Sequence, residues 1–560
     1  MAERQTESIA ENMYIQWNII IVLTVLISGC PQVCADEIYV LYNPVSRSFT
    51  ASQGKLDVYV AHAVFNNTIQ ETGFSSLEIQ TSGSYPDDIQ AYAAGWAEGY
   101  LTKNLISDHW ANTAHGYCSS PPTPYCRRLR IFLEQNLRWM KNAIEKNVES
   151  PYWHQVSLFL IQVNGMTDGY RNTTSPPTFT VADPLGLLFL QIQDDVYDLE
   201  NVLHKENMNH IFGGEKCSAL IKLLPGNEDI LVAHDTWSSY KTMLRIIKKY
   251  DLSFGANTRS GVIPGKAVSF SSYPGTLIST DDFYIMSSGL VSLETTIDND
   301  NSTLWQHVKS SGQVLEAIRT VVANRLSNTA RDWANTFAKF NSGTYNNEWM
   351  IVDYKEFHPH RPLPDRGVLI VLEQIPGFVE YEDMTQWLKV NSYWASYNLP
   401  FFPDVYNMSG KEALREKHGD FFSYSNSPRA RIFRRDQGKV VDVHSMMKLM
   451  RYNDFQHDPL SRCQCEPPYS GDNSISARND LNPANGTYPL RALGSSAFGG
   501  IDMKLTNYAM SQMMEMIVIS GPTFDQQPPF QWSTSQFSNV SHRGQPDLFK
   551  FDPVHVSWGV

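Results

Sequence analysis

Basic charge is in short supply in this chain: 45 lysines and arginines stand against 58 aspartates and glutamates, for a formal net charge of −13. Such a balance leaves no basic face for a phosphate backbone, which excludes nucleic acid as a partner. Long apolar runs are equally scarce. Apart from Ile19–Ile27 (IIIVLTVLI) no stretch approaches a membrane span, which needs about 20 apolar residues. The signatures of several enzyme classes are missing too. GMTDG at 165–169 has Thr where a nucleophile elbow has Ser, and GSSAFGG at 494–500 lacks the closing Gly at the required offset. No H-E-x-x-H, P-loop or dinucleotide fingerprint occurs. His358 and His360 in FHPHRP have no third ligand at a recognisable spacing, so no metal and no other cofactor is expected. Repeats and low-complexity segments are absent, whereas 42% of residues are hydrophobic, 12% aromatic and only 18% charged, a composition that builds a large packed core.

The apolar run at Ile19–Ile27 has the length of a signal-peptide core, and Val33 and Ala35 satisfy the small-residue rule for cleavage, so residues 1–35 read as a signal peptide with Asp36 as the mature start. The leader before it is acidic (Glu3, Glu7 and Glu11 against Arg4), which initiation at Met13 would remove; an uncleaved anchor is the rival reading. Six N-x-S/T sequons follow, at Asn66, Asn172, Asn301, Asn407, Asn485 and Asn539, and they point to a glycosylated protein, secreted or in the lysosomal lumen.

Cysteine is rare. Of seven, Cys30 and Cys34 leave with the leader. Cys118 and Cys126 flank a Pro-rich turn suited to a short disulfide, and Cys463 and Cys465 in SRCQCEPP suit a tight local one. Cys217 is then the odd thiol, which is an intermolecular bridge, a buried inert thiol or a reactive one.

Residues 213–240 read GGEKCSALIKLLPGNEDILVAHDTWSSY. Cys217–Leu224 and Ile230–Trp237 are apolar strand candidates joined by the turn signal PGNED. Pairing Leu224 with Ile230 sets Trp237 opposite Cys217 and Thr236 opposite Ser218, with His234 one pair further in. The glycines before Cys217 give the flexibility that a strained scissile bond needs. A thiol at the start of a strand beside a His or Thr can attack the carbonyl of Lys216, and hydrolysis would free Cys217 as a new N-terminus. Its α-amine, with a pKa of about 8 when unperturbed, can then serve as base for its own thiol. An ordinary buried hairpin with a core cysteine fits the same pattern.

The strings CSALIKLLPG, VAHDTWSSYKTMLRIIKKYDL, AVSFSSYPGTLISTDDFYIMSSGL, RARIFRRDQ, MRYNDFQHDPLS and ISARNDLNPANGTYP resemble the phospholipase B-like proteins. The resemblance implies an α+β fold of N-terminal nucleophile hydrolase type, an αββα sandwich with two antiparallel sheets between helical layers. It implies one compact unit in two fragments, 36–216 and 217–560. It also implies that Cys217 is the nucleophile, that His234, Thr236 and Trp237 wall the site, that Asn398 in SYNLPFF stabilises an oxyanion, and that Arg429 in SPRARIFRRD orients the substrate or the new N-terminus, with Arg431 competing for that role. The family name implies a lipid acyl ester as substrate; N-terminal nucleophile hydrolases more often cut amides, so an N-acyl amide remains the alternative, and a non-catalytic lumenal glycoprotein with a binding or developmental role is the other.

Elsewhere, Arg127–Lys146 is basic with helical spacing; its apolar residues suit a core-facing helix, and peripheral membrane contact is the minority reading. Residues 183–204 suit a helix packed ahead of the cut site, and residues 466–490 suit a long polar loop.

Overall fold

The computed structural model describes residues 35–118, 121–206 and 216–559. Residues 1–34 of the expected signal peptide, Cys30 and Cys34 among them, and the glycines just before Lys216 lie outside the described residues. Among the described residues no helix is long and apolar enough to cross a membrane.

Two sheets dominate. The large one has eleven strands, ordered in space as Phe378–Asp383, Leu369–Ile375, Asn347–Asp353, Leu290–Thr296, Phe283–Met286, Ala267–Ser272, Arg245–Asp251, Phe74–Thr81, Ala61–Thr68, Asp36–Asn43 and Ser48–Ser52. All neighbours are antiparallel except Phe74–Thr81 and Arg245–Asp251, which run parallel. That parallel pair corrects the expectation of purely antiparallel sheets. The exception follows from connectivity: a long helical excursion separates the two strands, and a crossover of that length permits parallel pairing. The small sheet orders Tyr393–Ser396, Lys216–Leu223, Ile230–Ser239, Phe498–Thr506, Met516–Ser520 and Val554–Val556.

Strand alternation sorts the side chains into layers. Val291, Leu293, Met350, Val352, Leu369 and Val371 of the large sheet share one buried cluster with Ala219, Ile221, Leu223, Ile230 and Val232 of the small sheet, so these faces pack together. The opposite face of the large sheet, with Leu290, Ile351, Ile370 and Leu372, shares a buried cluster with helices that precede Cys217 and with Glu316–Leu326 and Ala330–Phe337, which follow it. The opposite face of the small sheet, with Leu220, Leu231, Ala233, Met503 and Leu505, packs on helices Pro428–Asp436 and Val443–Met450. The mixed α+β architecture is as expected.

The helical layer is held by close backbone contact. Helices Asp87–Leu101 and Pro151–Arg171 each carry glycines four residues apart, on one face. A Cβ at Gly95 or Gly99 would lie 1.9 or 2.1 Å from the carbonyl oxygen of Gln162 or Met166, and one at Gly165 or Gly169 would lie 2.1 Å from that of Tyr92 or Trp96. The two helices therefore touch backbone to backbone.

Other expectations fare variously. The basic helix forms over Pro124–Lys146 and buries Leu129, Phe132, Leu133, Met140 and Ile144, a core-facing stripe. Residues 183–204 give two helices, Leu187–Gln191 and Gln193–Val202, broken at Ile192. The polar segment 466–490 is a loop, as its composition suggests, yet Ser470–Asn479 is buried. Both disulfides, Cys118–Cys126 and Cys463–Cys465, are formed. Asn172, Asn407, Asn485 and Asn539 are exposed, while Asn66 and Asn301 are half-buried.

Gly165→Ala inserts a methyl group into the glycine contact, and overpacking of this kind costs about 1–3 kcal/mol or more. The expected outcome is a clearly lowered thermal unfolding midpoint, read by differential scanning fluorimetry, whereas Gly438→Ala, at an exposed position with open space around it, is expected to cost far less.

Candidate functional site around Cys217

The hairpin forms, one residue away from the expected register. Leu223 pairs with Ile230, Cys217 with Thr236 and Lys216 with Trp237. The turn is shorter than PGNED suggests because Gly226 and Asn227 both take left-handed backbone (φ 70° and 53°), and the Leu224 N–H already donates to the Asp229 carbonyl at 2.9 Å. The shift has a chemical consequence: Thr236 now shares a face with Cys217, pointing between the sheets, while Trp237 points to the helical side.

Cys217 is fully buried, outside both disulfides, and gripped through its backbone. Its N–H donates to Asn398 Oδ1 at 3.1 Å, and its carbonyl accepts from Arg429 Nη1 at 2.5 Å. Asn398 follows the edge strand Tyr393–Ser396 and adopts φ 68°, a conformation asparagine tolerates. Its Nδ2 donates to the Thr296 carbonyl at 2.7 Å, so both contacts fix the amide orientation. One amide hydrogen therefore remains for any oxyanion, and the principal contact of Asn398 is with the nitrogen of Cys217.

Arg429 sits in the first turn of the Pro428–Asp436 helix, which lies on the outer face of the small sheet. Its guanidinium stacks 4.3 Å over the Trp237 ring and also reaches Ser218 Oγ at 3.4 Å. Burial lowers its pKa to about 10, with Asp472 and Cys217 acting the other way, so it stays charged. Arg431 is exposed and takes no part in the site. Trp237 Nε1 donates to the Ile475 carbonyl at 3.1 Å, which anchors the ring on the buried polar loop.

His234 lies behind Thr236 on the same face. Its Nε2–H donates to the Glu294 carbonyl at 2.9 Å, which leaves Nδ1 as the acceptor for the Thr236 hydroxyl at 3.3 Å. Burial, reinforced by the Lys504 charge, holds the imidazole well below its ordinary pKa, so His234 is neutral. The Cys217 thiol, a His234 nitrogen and a Glu294 carboxylate oxygen lie within 4.8 Å of one another. Both ring nitrogens are already engaged, so this trio offers a cation no imidazole lone pair. His358 and His360 are exposed, far in character from a metal centre.

Sequence reasoning missed the charged network beneath Thr236. Lys504 Nζ donates to Thr236 Oγ1 and pairs with Asp502 at 2.8 Å and Asp281 at 3.6 Å. Arg245 pairs with Asp281 and, at 2.7 Å, with Asp502. All four side chains are fully buried, two cations against two anions. Burial alone would raise the Asp281 carboxyl; the Arg245 and Lys504 charges instead hold it below the usual range. The available signal was IDMKLT, where Asp502 and Lys504 occupy alternate positions of an otherwise apolar strand.

A cavity of about 280 Å³ opens in front of the cysteine. Lys216, Asn398, Arg429, Tyr397, Phe421 and Asp472 are among its walls. Lys216 lines it with Nζ 5.7 Å from the Phe421 ring centre, while the buried Cys217 is not among its walls.

Comparison with known proteins places this geometry in context. The family model described as Phospholipase B matches residues 61–556. The human protein phospholipase B-like 2 is 54% identical over 506 residues, covering 89% of this chain and 86% of its own length. Phospholipase B-like 3 of Caenorhabditis elegans is 43% identical, with 89% and 86% covered, and phospholipase B-like protein B of Dictyostelium discoideum is 37% identical, with 93% and 89% covered.

Lys504→Met leaves two buried carboxylates facing a single arginine. Breaking a buried ion network by removing one partner costs about 3–5 kcal/mol. A matching fall in the urea midpoint is expected, with Lys504→Arg recovering part of it; a midpoint unchanged in Lys504→Met would refute the charge balance described above.

Proposed function

The chain belongs to the phospholipase B family, and from that premise we propose that it is a self-cleaving hydrolase of N-terminal nucleophile type, with Cys217 as nucleophile and an acyl ester or N-acyl amide as substrate. The observation that carries the reading is the double grip on the Cys217 backbone, the nitrogen of the Lys216–Cys217 peptide to Asn398 and the carbonyl of the Cys217–Ser218 peptide to Arg429. A core cysteine needs no such hold; a residue whose own peptide bond is to be cut does.

The steps follow. Cys217 Sγ adds to the Lys216 carbonyl carbon; the C–N bond breaks, the nitrogen takes up the proton, and a thioester to Lys216 remains. Water hydrolyses it, giving a carboxylate on Lys216, a thiol on Cys217 and a new α-amine. Asn398 Oδ1, already the acceptor for this nitrogen, keeps the amine beside its own thiol, where it serves as base. His234, its basicity lowered by burial and both its ring nitrogens engaged by the Glu294 carbonyl and the Thr236 hydroxyl, is poorly suited to that role. Withdrawal of Lys216 then opens the cavity to Cys217. A substrate carbonyl takes the place of that of Lys216: the thiolate adds, the alcohol or amine leaves with a proton, and water releases the acid. The remaining Asn398 amide hydrogen and backbone N–H groups are the donors for the oxyanion.

The six sequons and the leader support a lumenal or secreted setting for this chemistry. The same setting suits lipid or N-acyl substrates presented at or near membranes, without requiring that the protein span one.

Purified precursor is expected to yield a fragment beginning CSALIK, while Cys217→Ala stays a single chain and Asn398→Ala forms fragments about 10²-fold more slowly. Edman sequencing and gel densitometry decide it. Cutting of Cys217→Ala at the wild-type rate would assign the cleavage to an external protease, and absence of turnover of every ester and amide by the cleaved protein would favour a binding role.

A further inference from the structure

Two carboxyl groups lie between the sheets close to Asn398. Glu348 and Glu373 are direct cross-strand partners on Asn347–Asp353 and Leu369–Ile375, both fully buried, and their strand positions point them toward the small sheet. They face one another within hydrogen-bonding reach. Neither is paired with a cation among the described residues. Two carboxylates cannot sit so close in an apolar layer unless a proton lies between them. Glu348 Oε2 is buried with no hydrogen bond of good geometry, near the Ser396 hydroxyl and Glu373, where a carboxylic acid O–H from Glu373 would satisfy it.

The pair holds both ends of the segment that carries Asn398. On one side Trp394 Nε1 donates to Glu348 Oε1 at 2.9 Å. On the other, the Phe401 and Phe402 N–H groups donate to the two oxygens of Glu373, the second at 3.2 Å. Between them Ser396 Oγ meets Thr295 Oγ1 at 2.5 Å, and Thr295 Oγ1 accepts the Asn398 N–H at 3.4 Å. The left-handed backbone at Asn398 is therefore spanned by a continuous set of contacts that ends on the Cys217 nitrogen.

We propose that Glu348 and Glu373 form a proton-bridged clamp that positions Asn398 against the backbone of Cys217. The clamp deepens the reading of Cys217 as the self-cleaving residue, and for its effect on cleavage it rests on that reading. Desolvation raises both carboxyls, Glu348 to about 7 and Glu373 well above the carboxylate range, aided there by the neighbouring Glu348 charge. The other titratable groups beside the pair are Glu380, the cross-strand partner of Glu373 on Phe378–Asp383, whose carboxyl desolvation and the Asp404 charge also raise, and the phenols of Tyr397, on the same segment, and Tyr424, on the following turn; burial raises both phenols, so they stay un-ionised. The clamp is thus closed at acidic pH and opens on the alkaline side, when the pair carries two charges. Its closed state suits the acidic lysosomal lumen, one of the two settings expected for the protein.

Glu348→Gln replaces the bridging proton with an amide N–H and removes one charge, so it holds the segment at any pH. Two readouts separate the clamp from the chemistry. In the uncut Cys217→Ala protein, hydrogen exchange of residues 394–402, corrected for intrinsic rates, is expected to lose protection between about pH 6 and about pH 9 with Glu348 present and to keep it with Gln. In protein that retains Cys217, the ratio of Glu348→Gln to wild-type cleavage rates is expected to rise about tenfold across that range, a ratio in which the titration of the thiol cancels. Equal loss of protection in both proteins, or no loss in either, overturns the clamp even if self-cleavage stands. Cleavage of Cys217→Ala overturns the self-cleavage reading and leaves the exchange result to judge the clamp.

Discussion

Three distant parts of the chain meet on the backbone of Cys217, and the site exists only because they do. The hairpin supplies the cysteine, the segment after Ser396 supplies Asn398, and the helix from Pro428 supplies Arg429. Each contact comes from a different layer: Asn398 is held from between the sheets, Arg429 from the helical layer outside. A backbone gripped on both its N–H and its C=O cannot rotate freely, and this lowers the entropy lost in reaching the geometry of attack. Arg429 and Trp237 add a stacked pair that closes the outer side.

The space between the sheets carries a heavy polar load. Near Thr236 it holds Arg245, Lys504, Asp281 and Asp502, and near Asn398 it holds Glu348 and Glu373. Burial of isolated charges would be costly, and the two groups meet the cost differently. The first balances its charges and shares hydrogen bonds, the second shares a proton. Both sit on the faces that carry Thr236 and Asn398. The buried polarity is concentrated near the backbone of Cys217, and much of the same interface is aliphatic and aromatic.

The large sheet crosses the site of the proposed cut. Strands from Asp36 to Thr81 precede Lys216, and the parallel pairing of Phe74–Thr81 with Arg245–Asp251 joins them to strands that follow it. A chain cut between Lys216 and Cys217 would remain one body, because separating the halves would expose a sheet edge and the cluster on its helical face.

Much of this was legible in the linear sequence. The apolar runs on either side of PGNED, the single thiol beyond two local pairs, and the long strings shared with the phospholipase B-like proteins together marked Cys217, Asn398 and Arg429. Local pattern and counting marked Cys217, whereas Asn398 and Arg429 came from the resemblance alone. The register did not follow, because left-handed backbone at both Gly226 and Asn227 shortened the turn by one residue and moved Thr236 to the face of the cysteine. Nor did the choice between Arg429 and Arg431, since two residues along one helix turn to opposite environments only once the helix has a sheet to lie on. The partners of Lys504 and Glu348 come from strands hundreds of residues away or from the facing sheet, so their pairing was settled by how the two sheets stack, which no local pattern encodes.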